Sequence, residues 1–224
     1  MITIVIPTIN EEKNINRTLK IICKAKDFKN SQIIIVDDGS TDNTVKIVNS
    51  FKKRMNIFLI RNKKKLGLGF ALKKGFKNAK FSNVMFLDAD LSIKLKDILR
   101  IVKYKNKNTM IIGSRYLRKS KIIGANYIKV KLSFILNYLI SKLYNLKIID
   151  ISHSFRIISK NIKLKSYNYT HPGFFWEITI NAKQKGVNVQ EIPITFTDRK
   201  FGVSKNKSYK MIISILKSMF NLIK

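Results

Sequence analysis

Carboxylates are scarce in this chain: 13 Asp and Glu stand against 45 Lys and Arg over 224 residues, a formal net charge of +32. The chain also has little else that punctuates or cross-links a fold, with 1 cysteine, 2 histidines, 3 prolines and 9 glycines. A lone Cys23 excludes an internal disulfide framework, and with His153 and His171 it falls short of a four-ligand zinc site of the usual kind. No Pro/Gly/Ser-rich linker divides the chain, and 45% hydrophobic residues are too many for a disordered basic tail. One packed domain is expected. Long apolar runs are missing too: the best uncharged stretch, Leu132 to Ser141, lies between Lys131 and Lys142 and is well short of the roughly 18 residues a membrane span needs. The opening run to Pro7, followed by Asn10, Glu11 and Glu12, is unlike a signal peptide, and the single thiol fits a reducing, cytoplasmic setting.

The positive charge has two readings. Lys, Asn and Ile abundant together are what an AT-rich genome imposes on any protein. The alternative is an anionic partner: nucleic acid, a phosphate-bearing substrate or a negatively charged membrane. Composition alone does not choose between them.

Periodicity says more. Residues 2–6, 33–36, 57–60, 84–87 and 110–112 are short, continuous, mostly β-branched runs that read as buried strands. Helical spacing separates the first four: Ile15, Leu19, Ile22 and Cys23, then Val45, Val48 and Phe51, then Phe70, Ala71 and Phe76. This alternation predicts an α/β fold with a mainly parallel sheet flanked by helices. In such a sheet, ligands bind outside the carboxyl ends of the strands. There the scarce carboxylates gather: Glu11 and Glu12 after the first strand, Asp37 and Asp38 after the second, Asp88 and Asp90 after the fourth. Taken alone, Asp37-Asp38-Gly39-Ser40 reads equally as a turn with Ser40 or Thr41 capping the next helix, and Asp88-Ala89-Asp90 as a strand-end cap. Taken together they read as one site, in which the pair Asp88 and Asp90 presents oxygens to a hard divalent cation whose shell a phosphate ligand completes.

Other chemistries fit poorly. Gly67-Leu-Gly69 begins like a dinucleotide fingerprint but lacks the third glycine and lies far from the first strand. No Walker loop and no nucleophile elbow is present.

The fuller pattern runs Pro7-Thr-Ile-Asn10-Glu11, Asp37-Asp38-Gly39-Ser40-x-Asp42, Gly67-x-Gly69-x-Ala71, Asp88-Ala89-Asp90-Leu91-Ser92, Gly113-Ser114-Arg115-Tyr116, Asp150-x-Ser152-x-x-Phe155-Arg156, Gly173-Phe174-x-x-Glu177 and Glu191-Ile-Pro193-Ile-x-Phe196-x-Asp198-Arg199-x-x-Gly202-x-Ser204-Lys205. It resembles the glycosyltransferases of family 2, and within them the dolichyl-phosphate mannose synthases, in the form without C-terminal transmembrane helices. The resemblance implies a single Rossmann-like domain of the GT-A kind over residues 1–205, with a nucleotide-binding half at 1–116 and an acceptor-binding half at 117–205. It implies Mg²⁺ or Mn²⁺ on Asp88 and Asp90, held most directly by Asp90. By the same resemblance Pro7, Glu11, Asp38, Asp88 and Ala89 hold the donor nucleotide, Arg199 and Lys205 close over its phosphates, and Arg115 binds the acceptor phosphate with Lys129 and Ser133. Two positions depart from the family: Lys129 stands where an arginine is expected, and Ile93-Lys94 where His and Pro are usual.

The reaction so implied is an inverting transfer of mannose from GDP-mannose to dolichyl (polyprenyl) phosphate; a glucosyl transfer from UDP-glucose is the alternative. A phosphate acceptor is already anionic near neutral pH, so positioning cations can replace the general base a sugar hydroxyl would need. A basic nucleic-acid-binding protein would show no acidic site, and a non-catalytic subunit of a membrane complex would have lost site residues. Leu132, Ile135, Leu136, Leu139, Ile140 and Leu143 form a helical stripe that fits either a core helix or an anionic membrane surface. Residues 206–224 read as a C-terminal amphipathic helix with Met211, Ile215, Leu216, Met219 and Phe220 on one face. The expected location is peripheral, on the cytoplasmic face of a membrane, met by the protein's own surface or by a small membrane subunit.

Overall fold

The computed structural model describes residues 1–106, 108–162 and 173–199. In chain order it contains β1 (Thr3–Thr8), α1 (Glu12–Lys24), β2 (Gln32–Asp37), α2 (Thr44–Phe51), β3 (Ile57–Arg61), α3 (Leu68–Lys77), β4 (Asn83–Phe86), α4 (Leu95–Val102), β5 (Thr109–Ser114), β6 (Lys121–Ile123), α5 (Tyr127–Leu143), β7 (Arg156–Ser159), α6 (Phe174–Gln184), β8 (Asn188–Pro193) and β9 (Thr195–Thr197). The five expected strands are present, with ends shifted by one or two residues. One was misjudged as buried: β3 lies on the sheet edge, is only half covered, and leaves Phe58 47% exposed.

The main sheet has 7 strands in the order β3-β2-β1-β4-β7-β5-β8. β7 runs against both of its neighbours, and every other pairing is parallel. The carboxyl ends of β1, β2, β4 and β5 therefore share one edge of the sheet. The strand order reverses between β2 and β4 on either side of β1, which opens the crevice where doubly wound sheets bind ligands. Because β7 is reversed, the segment that precedes it reaches that same edge. A separate parallel ribbon of β6 and β9 stands beside it.

Alternate strand residues feed two cores. Ile4, Ile6, Ile33, Ile35 and Met85 pack with α1, α2 and α4 on one face, and Val5, Ile34, Val36, Val84 and Phe86 pack with α3, α5 and α6 on the other. The period-2 alternation of side chains across a strand produces this division. α3 lies so close to β1 that a Cβ on Gly75 would stand 2.3 Å from Val5 Cγ1. Gly75→Ala is therefore expected to destabilise the fold despite a helix-propensity gain of about 1 kcal/mol, since overpacking costs about 1–3 kcal/mol. A lower urea midpoint checks this.

α5 is inverted relative to an ordinary surface helix. Its stripe divides: Ile140 and, in part, Leu136 pack into the core, while Leu132, Ile135, Leu139 and Leu143 are exposed. Polar Asn137 is fully buried while Tyr138 and Leu139 next to it are more than half exposed, at 56% and 54%. Among the described residues, no helix is long and apolar enough to cross a membrane.

Candidate active site

The first two strand ends interlock. Asp37, the last residue of β2, is buried and accepts hydrogen bonds from the Ser40 N–H at 3.1 Å and from the Ser40 hydroxyl, with Arg61 Nε 3.7 Å away. Gly39 closes this turn at φ +88, where a side chain would be strained. Glu12 accepts from Asn43 N and Nδ2, both at 3.1 Å, at the start of α2. Asp38 faces the other way, accepting from Asn62 Nδ2 at 2.9 Å, Leu66 N at 2.9 Å and Gly67 N at 2.8 Å, and so fixes the loop that enters α3. The six carboxylates expected to act as one site thus converge on one edge but divide their work: Asp37 and Glu12 hold the loops together. Glu11 stays close to the fourth strand end, and its backbone N–H donates to Thr44 Oγ1 at 2.8 Å. Pro7, half-buried in β1, and buried Ala89 line the same edge.

Asp88 and Asp90 follow β4. The hydroxyl of Thr18 on α1 donates to Ala89 O at 2.6 Å and pins the segment, while Asp90 accepts from Ser92 N at 3.1 Å. Burial, then the charge of Asp90, push the Asp88 carboxyl up to about 6, against the opposing effects of the Ser154 hydroxyl that donates to it and of Arg199. Burial also raises Asp90, opposed by Arg199, whose Nη2 stands 3.3 Å from Asp90 Oδ2. The charge of Glu11 adds to both shifts. Such a site is short of positive charge. Among the described residues no group of three or more His, Cys, Asp or Glu forms a metal cage. Two hard carboxylates with the rest of the shell left to phosphate oxygens and water is the arrangement Mg²⁺ accepts in nucleotide sites, so the donor set fits. Beside Asp90 a cleft of about 440 Å³ opens between α1 and the 91–95 segment, with Arg17 and Lys94 on its walls.

The cationic side is built at the end of β5. Arg115 donates from Nε and Nη2 to Asp150, both at 2.8 Å, and from Nη2 to Ser152 Oγ at 3.0 Å. Its guanidinium also lies 4.9 Å from the Tyr116 ring centre and 5.8 Å from that of Phe196. Burial works against the charge of Arg115, but Asp150 outweighs it and holds the guanidinium firmly protonated; Arg115 in turn keeps buried Asp150 below the usual carboxylate range. Arg115 also feels the charge of Asp88, which ties the two sides electrostatically. From α5, Asn137 accepts from Ser152 N at 2.9 Å and donates to Ser152 Oγ at 3.0 Å. Ser133, one turn earlier, meets the Tyr116 hydroxyl, and Lys129, a further turn back on the same face, is exposed.

Four residues with no role expected from the sequence complete the framework: Asp150, Ser154, Arg156 and Glu191. The scarcity of carboxylates was an available signal for Asp150 and Glu191. Glu191 accepts the N–H groups of Ile149 and Asp150, each at 2.7 Å. Lys205, His171, Gly202, Ser204 and the 206–224 helix lie outside the described residues.

The sequence model of the family described as "Glycosyl transferase family 2" matches residues 3–164. A dolichol-phosphate mannosyltransferase of Pyrococcus furiosus is 30% identical over 228 residues, covering 100% of this chain and 64% of the relative, so the chain spans only part of that protein's length. An uncharacterized protein of Methanocaldococcus jannaschii is 32% identical over 233 residues, covering 99% of this chain and 90% of that one. Among solved structures, glucosyl-3-phosphoglycerate synthase from Mycobacterium tuberculosis, in complex with Mn²⁺, uridine diphosphate and glucosyl-3-phosphoglycerate, shares the fold with a TM-score of 0.67 at 14% identity, covering 97% of this chain and 79% of that chain.

Proposed function

Because the chain belongs to glycosyl transferase family 2, we propose that it transfers a hexose from a sugar nucleotide to a polyprenyl phosphate, with mannose from GDP-mannose as donor and with inversion at the sugar carbon. The carrying observation is a fixed cation, Arg115, set in the same sheet edge as the Asp88–Asp90 pair and held there by a buried carboxylate. Asp88 and Asp90 would hold Mg²⁺ or Mn²⁺, which supplies positive charge where the leaving diphosphate develops negative charge. Pro7, Glu11, Asp38 and Ala89 border the nucleotide, and Arg199, with Lys205 from outside the described residues, answers its phosphates. Arg115, Ser133 and Lys129 receive the acceptor phosphate, which is ionised without help from a base.

One assay tests this reading: purified protein, Mn²⁺, a panel of labelled sugar nucleotides including GDP-mannose and UDP-glucose, and a short polyprenyl phosphate. Label extracted into organic solvent from GDP-mannose is the expected result. Transfer only to water-soluble acceptors overturns the acceptor, and extraction of glucose alone overturns the donor.

The raised Asp88 has a pH consequence. A carboxyl that titrates near 6 must lose its proton before it can hold a cation, so Mn²⁺ affinity is expected to fall as pH drops through about 6 and to level off above about 7. Titrating Mn²⁺ by its electron paramagnetic resonance signal at several pH values checks this. A curve that stays flat down to pH ~5 contradicts it.

The acceptor's lipid resides in a bilayer, and the outward face of α5 is suited to meet one. Leu132, Ile135, Leu139 and Leu143 are exposed there, with Lys129, Lys131, Lys142 and Lys147 exposed around them. Each lysine near an anionic surface contributes about 1 kcal/mol, and apolar burial adds about 25 cal/mol per Å². The protein is expected to sediment with anionic vesicles at low salt and to release as salt screens the attraction, which at physiological ionic strength reaches only about 8 Å. Retention in the supernatant at low salt would assign the α5 face to a protein subunit.

A further inference from the structure

The segment between α5 and β7 joins the two sides of the site. Arg156, the first residue of β7, pairs with Phe86 of β4 on one side and Ile112 of β5 on the other. The residues just before it therefore emerge between the strand that leads to Asp88 and the strand that leads to Arg115. Each end of this loop grips one of them. Asp150 takes the Arg115 guanidinium through two bonds of 2.8 Å and its backbone N–H at 2.9 Å. Four residues on, the Ser154 hydroxyl donates to Asp88 Oδ2.

The loop has no regular structure of its own, and a buried cation holds it instead. Arg156 is fully buried, and its Nη2 donates to Ile151 O at 3.3 Å and to His153 O, both in the loop. Its Nη1 donates to Phe175 O at 3.2 Å and Thr179 Oγ1 at 2.8 Å, both on α6. A planar fork of donors spans separated acceptors in a way an ammonium does not. Asn137 clamps Ser152 and Glu191 clamps the N–H groups of 149 and 150, so the backbone on both sides of Asp150 is fixed.

We propose that Asp150 and Ser154 are positioning residues of one rigid loop, Asp150 aiming Arg115 at the acceptor phosphate and Ser154 aiming Asp88 at the metal. Arg156 holds the loop so that the two aims keep a fixed separation. This rests on the proposed glycosyl transfer and adds to it a division of labour along the five residues from Asp150 to Ser154. The reacting phosphate and the sugar carbon must meet in near-attack geometry, and a small misplacement of either side costs rate.

The test uses the full chain with Mn²⁺, GDP and a short polyprenyl phosphate as probes. Ser154→Ala is expected to weaken Mn²⁺ binding in the presence of GDP by about tenfold, the usual size for loss of a hydrogen bond to a metal ligand, while acceptor KM stays within about twofold. Ser154→Thr, which keeps the hydroxyl, restores it. Asp150→Asn is expected to do the reverse, raising acceptor KM about tenfold with Mn²⁺ affinity unchanged. Arg156→Lys shifts both together with the circular dichroism spectrum intact; should it fail to fold, the two single-sided variants decide alone. The inference is overturned if Ser154→Ala and Asp150→Asn impair both readouts equally or leave both untouched. A wild-type chain that neither binds Mn²⁺ nor glycosylates the lipid sinks the proposed function with it, whereas an active wild type with unsorted variants sinks only this inference.

Discussion

Asp90→Ala is expected to abolish transfer while leaving the fold intact. The residue stands at a strand end and lines the cleft beside it, held by the Ser92 backbone N–H and hydroxyl and by the Arg199 ion pair, outside both hydrophobic cores. Removing it opens no cavity in either core, and it relieves Asp88 of the neighbouring charge that raises it. Stability is therefore expected to change by less than about 1 kcal/mol, whereas loss of a cation ligand costs orders of magnitude in rate. Excess chelator should silence the wild type equally. A variant retaining more than about a tenth of the activity, or turnover that survives chelation, would show that these carboxylates hold no required metal.

The second large effect belongs to Arg115, and Lys is the informative replacement. Alanine would strand buried Asp150 without its cation, and an uncompensated buried charge costs about 3–5 kcal/mol, so lost activity could not be separated from lost fold. Lysine keeps the charge but not the planar fork that takes Asp150 by two atoms and still faces outward. Arg115→Lys is expected to raise the acceptor KM by about tenfold or more with GDP affinity unchanged in calorimetry. An equal loss of GDP binding would place Arg115 on the donor phosphates.

The first half of the fold is legible in the sequence because β1, β2 and β4 are covered on both faces and leave near-continuous apolar runs, and edge strand β3 keeps such a run although it is half covered. Residues 33–36 have no polar position to disguise them, and Gln32–Asp37 is the strand observed. The second half hides its strands. β7 opens on Arg156 and has only Ile157 and Ile158 as an apolar signal; β6 and β9 are three residues each; β8 alternates on an edge and ends at Pro193, where a missing N–H costs nothing. The convergence of carboxylates is equally legible, but not the division of duties between adjacent twins. Asp37 ends its strand pointing into the protein while Asp38 turns toward the loop before α3, a difference set by backbone direction and not by residue type. Asp150 is visible in the sequence as part of the family pattern, but its duty is not, for a related reason: it lies at the end of no predicted strand, and its partner Arg115 is 35 residues away.

The strand order also dictates a sequence of assembly. β1, β2 and β3 are neighbours in space as they are along the chain, so residues 3–61 close their pairings over short loops. The rest of the sheet waits: β4 pairs with β1, and β5 with β8, across about eighty residues, and β7 enters between β4 and β5 only after α5 has been laid down. Pairings that close long loops form late because their entropy is lost before their contacts form. A chain emerging from the ribosome thus organises β1 to β3 first, with Asp37 and Asp38 at their edge and Asp88 and Arg115 still unaimed, and becomes competent only when Arg156 locks in and Glu191 arrives beneath Asp150. Chains stopped before residue 191 are expected to gain secondary structure without gaining the site.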